Sequence, residues 1–176
     1  MSKTIITNHI LQVVTNTRLW EGGVAENIFL VEKEDISSIV NIENICFDAN
    51  YYDSLLTENS IKYLIKNGNS LLLINKFNKK LTGYAQIKFK KNLSSARFYS
   101  LAVLPEFQGT SVANLLFKSV EKTCQLLGIS CIQLEIRQDN KALNYRYKKI
   151  GYQQYQVIKN YYPDGCAAIK MSKMLL

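Results

Sequence analysis

The stretch from residue 101 to residue 116, which reads LAVLPEFQGTSVANLL, constrains the fold of this chain more than any other segment. An apolar run typical of a β-strand is interrupted at Pro105, passes through Gln-Gly-Thr-Ser and resumes with the spacing of a helix. A tight loop of small residues between a strand and a helix leaves backbone N–H groups unpaired at the helix N-terminus, where the helix dipole favours an anion. We therefore expect a ligand with phosphate groups to bind at this loop.

Length and composition favour one globular domain. The chain has 176 residues, of which 47% are hydrophobic and 20% are charged, so it is long enough to bury one substantial core. Residues 1–26 show little periodicity and are interpreted as an N-terminal extension of unknown role, followed by a domain over residues 27–176. The chain has no apolar run of membrane-spanning length and no secretory signal at its start, so we expect a cytoplasmic protein.

The four cysteines do not follow the spacing of a metal site. Cys46, Cys124, Cys131 and Cys166 form no CxxC pair, and none of them has a histidine nearby. A reducing compartment also argues against a disulfide framework. We expect free thiols and no bound metal.

The net charge of +8 is unevenly distributed along the chain. Seven basic residues and no acidic residue lie between Lys76 and Arg97, and a second basic stretch runs from Arg137 to Lys159. Either stretch would attract a polyanion, but solvated surface charge that keeps a protein soluble explains both equally well. A nucleic-acid partner stays open and is not favoured.

The apolar periodicity predicts seven strands and four helices. Strands are predicted at residues 28–31, 70–74, 81–89, 97–104, 131–137, 152–158 and 166–174, and helices at 34–47, 57–66, 111–127 and 141–150. Residues 75–80 are interpreted as a hairpin connection, Thr57 as a helix N-cap, and Gly128 and Gly151 as helix stops. This order predicts an α/β (α+β) fold with an antiparallel start and a parallel crossover around the Gln-Gly-Thr-Ser loop.

From about residue 28 to residue 175 the chain resembles the GNAT superfamily of acetyl-CoA-dependent N-acetyltransferases. The cofactor loop of that family reads Gln/Arg-x-x-Gly-x-Gly/Ala, and here it reads Gln108-Gly109-Thr110-Ser111-Val112-Ala113, with Ser111 at the central glycine position. Downstream, the chain resembles the bacterial branch that acetylates the N-terminal alanine of a ribosomal protein. The matching residues are Leu134-Glu135-Ile136-Arg137, Asn140, Tyr147, Gly151-Tyr152 and Asn160-Tyr161-Tyr162-Pro163.

The resemblance implies a single-domain GNAT-like fold, with a mixed central sheet of about six to seven strands and about four flanking helices. It implies acetyl-CoA as co-substrate, no metal, and direct attack of the amine on the thioester in a ternary complex. Glu135 would remove the proton of the amine, directly or through water, and Tyr147 would protonate the departing sulfur. No cysteine stands at a matched catalytic position, so a covalent relay is not expected.

The resemblance also assigns the binding residues. The backbone of Leu101, Ala102 and Val103 would pair with the pantetheine arm, and Asn140 would contact the cofactor near its thiol. The pyrophosphate would lie on the loop formed by Gln108, Gly109, Thr110, Ser111, Val112, Ala113 and Asn114. Ser111 in place of the glycine leaves two interpretations open: a tolerated small residue of a type that caps helices well, or a cause of weakened cofactor binding. Tyr161 and Tyr162 would line the acceptor groove.

The acceptor is predicted to be a primary amine, with the α-amine of a protein N-terminus favoured. The branch carries an acidic His-Glu-Asp segment after its Tyr-Tyr-Pro, whereas this chain continues through Asp164 and Gly165 to Cys166. A small-molecule amine, a protein lysine and an aminoacyl-tRNA therefore stay open as acceptors. So does a non-catalytic module of the same fold that binds acyl-CoA or nucleic acid. The chain could act as a monomer or a homodimer.

Overall fold

The computed structural model describes residues 27–53, 55–67, 69–90 and 94–175. The strands are β1 (Ile28–Leu30), β2 (Ser70–Phe77), β3 (Lys80–Phe89), β4 (Ala96–Val103), β5 (Cys131–Arg137), β6 (Gln153–Ile158) and β7 (Ala168–Met174). The helices are α1 (Ile36–Cys46), α2 (Glu58–Asn67), α3 (Val112–Leu126) and α4 (Lys141–Lys149), with short 3-10 turns at Lys33–Asp35 and Pro105–Phe107. The predicted extension, residues 1–26, lies outside the described residues.

These strands form one mixed sheet in the order β1-β2-β3-β4-β5-β7-β6. All neighbouring strands run antiparallel except β4 and β5, which are parallel and are connected through α3. The architecture confirms the predicted α/β class and the parallel crossover. The parallel pair could be predicted from the order strand, helix, strand, because a helix is the usual connection between two parallel strands of one sheet.

The parallel ladder between β4 and β5 is short. It pairs Ala96 with Ile132, Arg97 with Gln133 and Phe98 with Leu134, and it ends there although both strands continue. On its other side, β4 pairs with β3 through a bulge, because Phe98 and Ser100 oppose consecutive residues of β3 and Tyr99 has no partner. The two strands therefore separate next to a local bend in β4.

Helices cover the two faces of the sheet. Helix α3 packs on one face, where Leu116 and Val120 are fully buried. Helices α1 and α2 pack on the other face through Ile39 and Ile61. Gly83 allows β3 to lie close to β4, since a Cβ atom there would come within 2.8 Å of the Ala102 carbonyl oxygen.

The turn that connects β2 to β3 is shorter than the predicted connection over residues 75–80. Strand β2 continues to Phe77, and the turn consists of Asn78 and Lys79, with φ of +48° and +65°. Two residues with positive φ suit the right-handed twist of a hairpin. Asn75, which the sequence places in the turn, is 2% exposed in the strand, where its side-chain oxygen accepts a hydrogen bond of 2.6 Å from Thr82. A cross-strand partner therefore overrides the turn preference of asparagine.

Most of the predicted helix boundaries are confirmed. The Thr57 hydroxyl accepts a hydrogen bond from the N–H of Ser60, and α3 and α4 end before Gly128 and Gly151, which have φ of +71° and +98°. The Ser111 side chain makes no cap hydrogen bond to α3, so of the two open interpretations the cap is not seen. Ser111 already has helical backbone angles, φ −71° and ψ −14°, whereas a capping side chain works best from an extended residue. The hydroxyl of Thr110 instead accepts a 3.4 Å bond from the N–H of Val112.

Candidate active site

A cavity of about 380 Å³ lies where β4 and β5 separate. Its walls come from both strands, from α1 and the segment that follows it, from α4, and from the connection between β6 and β7. The lining residues are Glu43, Phe47, Tyr52, Asp53, Leu55, Arg97, Phe98, Tyr99, Ser100, Leu101, Leu134, Glu135, Ile136, Arg137, Asn140, Leu143, Tyr147, Tyr161 and Tyr162. Segments far apart in sequence thus meet around one opening in the sheet.

The structure brings six of the predicted site residues together around this cavity. They are Leu101, Glu135, Asn140, Tyr147, Tyr161 and Tyr162. The other predicted residues lie elsewhere. Ala102 and Val103 are buried in the sheet, and residues 108–114 form the loop and first turn at the N-terminus of α3, beyond the cavity lining.

The loop before α3 offers free backbone donors. Gly109 has φ +79°, which only glycine adopts without strain, and it turns the chain into the helix. Within the part of the chain that the structure describes, four backbone N–H groups around this turn make no hydrogen bond, those of Gly109, Ser111, Ala113 and Asn114. Free donors at a helix N-terminus suit an anion, so the loop has the chemistry that a pyrophosphate requires.

Two loop side chains have structural partners. The Gln108 side chain donates a 3.1 Å hydrogen bond to the Val103 carbonyl, and the Asn114 side-chain oxygen accepts one of 2.9 Å from Arg146. These contacts connect the loop to the end of β4 and to α4. The side chains hold the loop in place and leave its backbone available for a ligand.

The backbone of β4 has an open edge beside the cavity. The N–H of Leu104 bonds to the Thr82 carbonyl of β3, so alternation along the strand directs the backbone groups of Leu101 and Val103 away from β3. The Val103 carbonyl is occupied by Gln108 and by the thiol of Cys46, at 3.4 Å. Leu101 therefore presents both its N–H and its carbonyl to the space where β5 has separated, as an amide-containing chain would need.

Tyr147 is buried in the wall of the cavity on α4. Its side chain is 7% exposed, and its ring packs against Phe117 of α3 with 5.3 Å between centroids. Burial raises the pKa of Tyr147 to about 12. The phenol is therefore protonated at neutral pH, which is the form a proton donor requires.

Glu135 is held in an ion-pair network. One of its carboxylate oxygens accepts a 2.7 Å hydrogen bond from Nε of Arg97, and the other lies 3.8 Å from Nζ of Lys170. Arg97 also donates to the hydroxyl of Tyr161 over 3.0 Å. The side chain of Glu135 is only 10% exposed, so this carboxylate has a defined position at the cavity instead of a solvated one.

Asn140 and Arg137 support the walls of the cavity. The Asn140 side chain caps α4 by accepting a 2.9 Å bond from the N–H of Leu143. Arg137, at the end of β5, donates to the carboxylates of Asp139 and Asp164, at 2.8 Å and 2.6 Å. These hydrogen bonds hold the pKa of both aspartates below its usual range. Arg137 thereby fixes the connection between β6 and β7, which carries Tyr161 and Tyr162.

A buried carboxylate in the cavity wall was not among the predicted residues. Glu43 of α1 is 3% exposed, accepts hydrogen bonds from the Tyr84 hydroxyl and from the N–H of Leu56, and has a pKa raised by burial. The sequence pattern around Glu43 could have indicated that this carboxylate is buried. Position 43 follows Ile36 and Ile39 and precedes Cys46 at helical spacing, so an acidic residue stands within an apolar stripe.

The described residues offer neither a metal site nor a membrane-spanning helix. Among the described residues, no group of three or more His, Cys, Asp or Glu side chains is placed to hold a metal ion. No helix within the same ranges is long and apolar enough to cross a membrane.

Comparison with known proteins identifies relatives. The model of the acetyltransferase (GNAT) domain matches residues 33–175. A provisionally named ribosomal protein bS18-alanine N-acetyltransferase of Bacillus subtilis is 30% identical over 139 residues, covering 75% of this chain and 83% of that protein. The ribosomal protein bS18-alanine N-acetyltransferase of Haemophilus ducreyi is 39% identical over 75 residues, 42% of this chain and 52% of that protein.

Solved structures share the fold. The ribosomal-protein-S18-alanine N-acetyltransferase of Escherichia coli aligns with a TM-score of 0.72 and 22% identity, over 84% of this chain and 92% of that one. The Salmonella typhimurium protein yncA, solved with its cofactor acetyl-CoA, aligns with a TM-score of 0.72 and 17% identity, over 85% of this chain and 93% of that one.

Proposed function

Since this chain belongs to the GNAT family of acetyltransferases and is an N-acetyltransferase, we propose that it transfers the acetyl group of acetyl-CoA to a primary amine by direct attack in a ternary complex. We assign the catalytic domain to residues 27–176, with residues 1–26 as an extension. The observation that carries the proposal is the cavity between β4 and β5, which holds a carboxylate and a protonated phenol beside an open strand edge.

The residues of the cleft fit acetyl-CoA, which supplies the acetyl group as a reactive thioester. The free N–H groups of Gly109, Ser111, Ala113 and Asn114 would bind the pyrophosphate. The backbone of Leu101 and the N–H of Val103 would pair with the amides of the pantetheine arm. Such pairing directs the thioester along β4 into the cavity, where Tyr147 and Glu135 lie.

Two side chains would move the protons. An amine attacks a thioester only in its neutral form, so Glu135 would take a proton from the amine, directly or through a water molecule. Arg97 orients that carboxylate. Tyr147 would donate its proton to the departing sulfur, and burial keeps the phenol protonated until then. In this mechanism the proton acceptor, Glu135, and the proton donor, Tyr147, both lie at the cavity where β4 and β5 separate.

The acceptor that we propose is the α-amine of a protein N-terminus, and the names of the Bacillus and Haemophilus relatives favour a ribosomal protein. At pH 7 an α-amine with a pKa near 8 costs about 1.4 kcal/mol to neutralise, against about 4.6 kcal/mol for a lysine. Tyr161 and Tyr162 would form one wall of its groove. A cytoplasmic location supplies both acetyl-CoA and such acceptors.

The decisive experiment combines binding and turnover. We expect millimolar acetyl-CoA to raise the melting temperature at any moderate ionic strength, and thiol release to occur with N-terminal peptides in preference to polyamines, lysine peptides and aminoacyl-tRNA. Absence of a melting shift would refute the acetyl-CoA site. A shift without thiol release for any amine would instead indicate an acyl-CoA-binding module, and RNA affinity that falls steeply with salt would indicate a nucleic-acid binder.

A further inference from the structure

Three side chains from three elements form a hydrogen-bonded line that starts at the cavity and ends on a buried carboxylate. Ser100 of β4 lines the cavity, and its Oγ lies 2.9 Å from the hydroxyl of Tyr84 on β3. Tyr84 is fully buried and donates its hydroxyl hydrogen to Glu43 of α1. The bulge at Tyr99 lies next to Ser100, at the point where β4 and β5 separate.

The hydrogen bonds of this line have only one consistent direction while Glu43 is ionised. A tyrosine hydroxyl carries one hydrogen, and Tyr84 gives it to the carboxylate, so the hydroxyl of Ser100 must donate to the oxygen of Tyr84. The lone pairs of Ser100 are then left to accept a hydrogen bond from a group in the cavity. The hydroxyl of Ser100 can therefore pass its proton to Tyr84 as it receives one from the cavity, and Tyr84 can pass its proton to Glu43 in the same way.

We propose that Ser100, Tyr84 and Glu43 are a proton relay that carries a proton from the acceptor amine to the buried carboxylate of Glu43. The proposal rests on the acetyl transfer proposed above and adds a second proton route to the one through Glu135. The two routes leave the cavity in different directions, since Glu135 lies on β5 and Ser100 lies on β4.

Two routes match the proton balance of the reaction. An ammonium group must lose one proton to become nucleophilic and a second as its nitrogen forms the bond to the acetyl carbon and the carbon–sulfur bond breaks. The sulfur takes one proton, from Tyr147, and the proton held by Glu135 then returns to the Tyr147 phenolate, so that one proton goes to water in each cycle. In the relay an N–H proton passes to Ser100, the Ser100 proton passes to Tyr84, and the Tyr84 proton passes to Glu43, which becomes a neutral acid. Glu43 also lines the cavity, so it can return that proton to water after the product leaves.

The environment of Glu43 suits a proton acceptor. Burial raises the pKa of Glu43, and among the described residues its carboxylate accepts the hydroxyl hydrogen of Tyr84 and is in electrostatic contact with Cys46. No cation pairs with it there, whereas Glu135 is paired with Arg97. Glu43 also accepts the N–H of Leu56 and so anchors the segment that bears Tyr52 and Leu55. A test must therefore separate proton transfer from this anchoring role.

The substitution Tyr84→Phe interrupts the relay and leaves the Leu56 anchor in place. We expect its kcat at pH 7 to fall by roughly tenfold to a hundredfold, with the acetyl-CoA dissociation constant and the acceptor KM unchanged within about twofold. The deficit should shrink towards pH 9, because an α-amine with a pKa near 8 then arrives neutral. Tyr152→Phe is the matched control, since it also removes a buried phenol hydroxyl but lies outside the cavity lining, and it should retain the parent rate.

Two further variants make the test specific. Ser100→Ala should reproduce the pH-dependent loss, with Ser119→Ala as a buried control on α3. Glu43→Gln keeps an oxygen for the N–H of Leu56 and cannot take a proton, so it should lose as much rate as Tyr84→Phe without losing thermal stability. A Tyr84→Phe deficit that is equal at all pH values, or no deficit, would overturn the relay. A parent enzyme that releases no thiol with any amine would overturn the proposed function, and the relay with it.

Discussion

The guanidinium of Arg97 holds the carboxylate of Glu135 at 2.7 Å, at the point where β4 and β5 stop pairing. The same guanidinium bonds to Tyr161, so the group expected to receive the proton of the amine is fixed to the wall of the acceptor groove. This coupling relates the position of the proposed base, Glu135, to the position of Tyr161 in the proposed acceptor groove.

Glu135→Gln keeps an oxygen for Arg97 and removes the proton acceptor. We expect kcat/KM at neutral pH, measured by thiol release, to fall about a hundredfold, because the amide cannot take a proton from the amine. The control is Glu121→Gln, because Glu121 is also ion-paired, to Lys173 at 2.8 Å, but lies outside the cavity lining. A Glu135→Gln variant that keeps the parent kcat/KM would exclude Glu135 as the base.

Tyr147→Phe should lower kcat by about a hundredfold or more while acetyl-CoA affinity stays nearly intact, since packing is kept and only the proton donor is lost. Because the pKa of Tyr147 is about 12, the parent should show no alkaline loss of activity from this group below about pH 11. Tyr145→Phe, on the same helix with 71% exposure, serves as the control. An unchanged turnover would remove Tyr147 from the mechanism.

Gly109 and Ser111 should respond differently to substitution. Gly109→Ala places a side chain at φ +79°, which costs about 1–2 kcal/mol, and it should weaken acetyl-CoA binding by about tenfold as the loop shifts. Ser111→Gly should change the dissociation constant by less than about threefold, because Ser111 has ordinary helical angles and its side chain makes no cap bond. Calorimetric titration of both variants measures this difference, and a gain of affinity in Ser111→Gly would show that the serine weakens the site.

Arg137→Ala should raise the KM for the acceptor about tenfold with little change in kcat. Arg137 joins the end of β5 to Asp164 and contacts the carbonyl of Tyr51 at 3.5 Å, so both walls of the groove lose a common support. Arg137→Lys should recover only part of the loss, because an ammonium cannot bind two carboxylates as a guanidinium does. Steady-state kinetics with a varied peptide concentration measures the effect, and a loss confined to kcat would contradict the supporting role.

Glu43 makes the stability of the protein depend on pH. Its pKa is higher in the folded protein than in the unfolded chain, so the folded state is favoured below the unfolded value of about 4.5 and loses that advantage as pH rises through the folded value. Relative to the parent, Glu43→Gln should therefore become more stable as pH increases from about 4 to 7, as measured by thermal unfolding. A difference that is constant with pH would show that Glu43 is not titrating in this range.

Local sequence patterns were sufficient for the elements and for their order. The helix stops at Gly128 and Gly151 and the cap at Thr57 depend on neighbours within a few residues, so they can be predicted from the chain itself. The hairpin at Asn78 and Lys79 was misplaced because Asn75 has its partner, Thr82, on the opposite strand. Whether Ser111 caps α3 could not be decided locally, because capping depends on its backbone angles, which are already helical in the folded chain.

Local patterns were enough to predict the α/β order and the loop before α3, and the family resemblance was enough to propose Glu135 and Tyr147 as site residues. The packing of whole elements ends the parallel ladder at Phe98 and Leu134 and leaves a cavity there, which no local pattern predicts. It also decided that Glu43 and Tyr84, 41 residues apart, meet behind Ser100. Pairing and burial between distant segments depend on how whole elements pack, and no local periodicity encodes that packing.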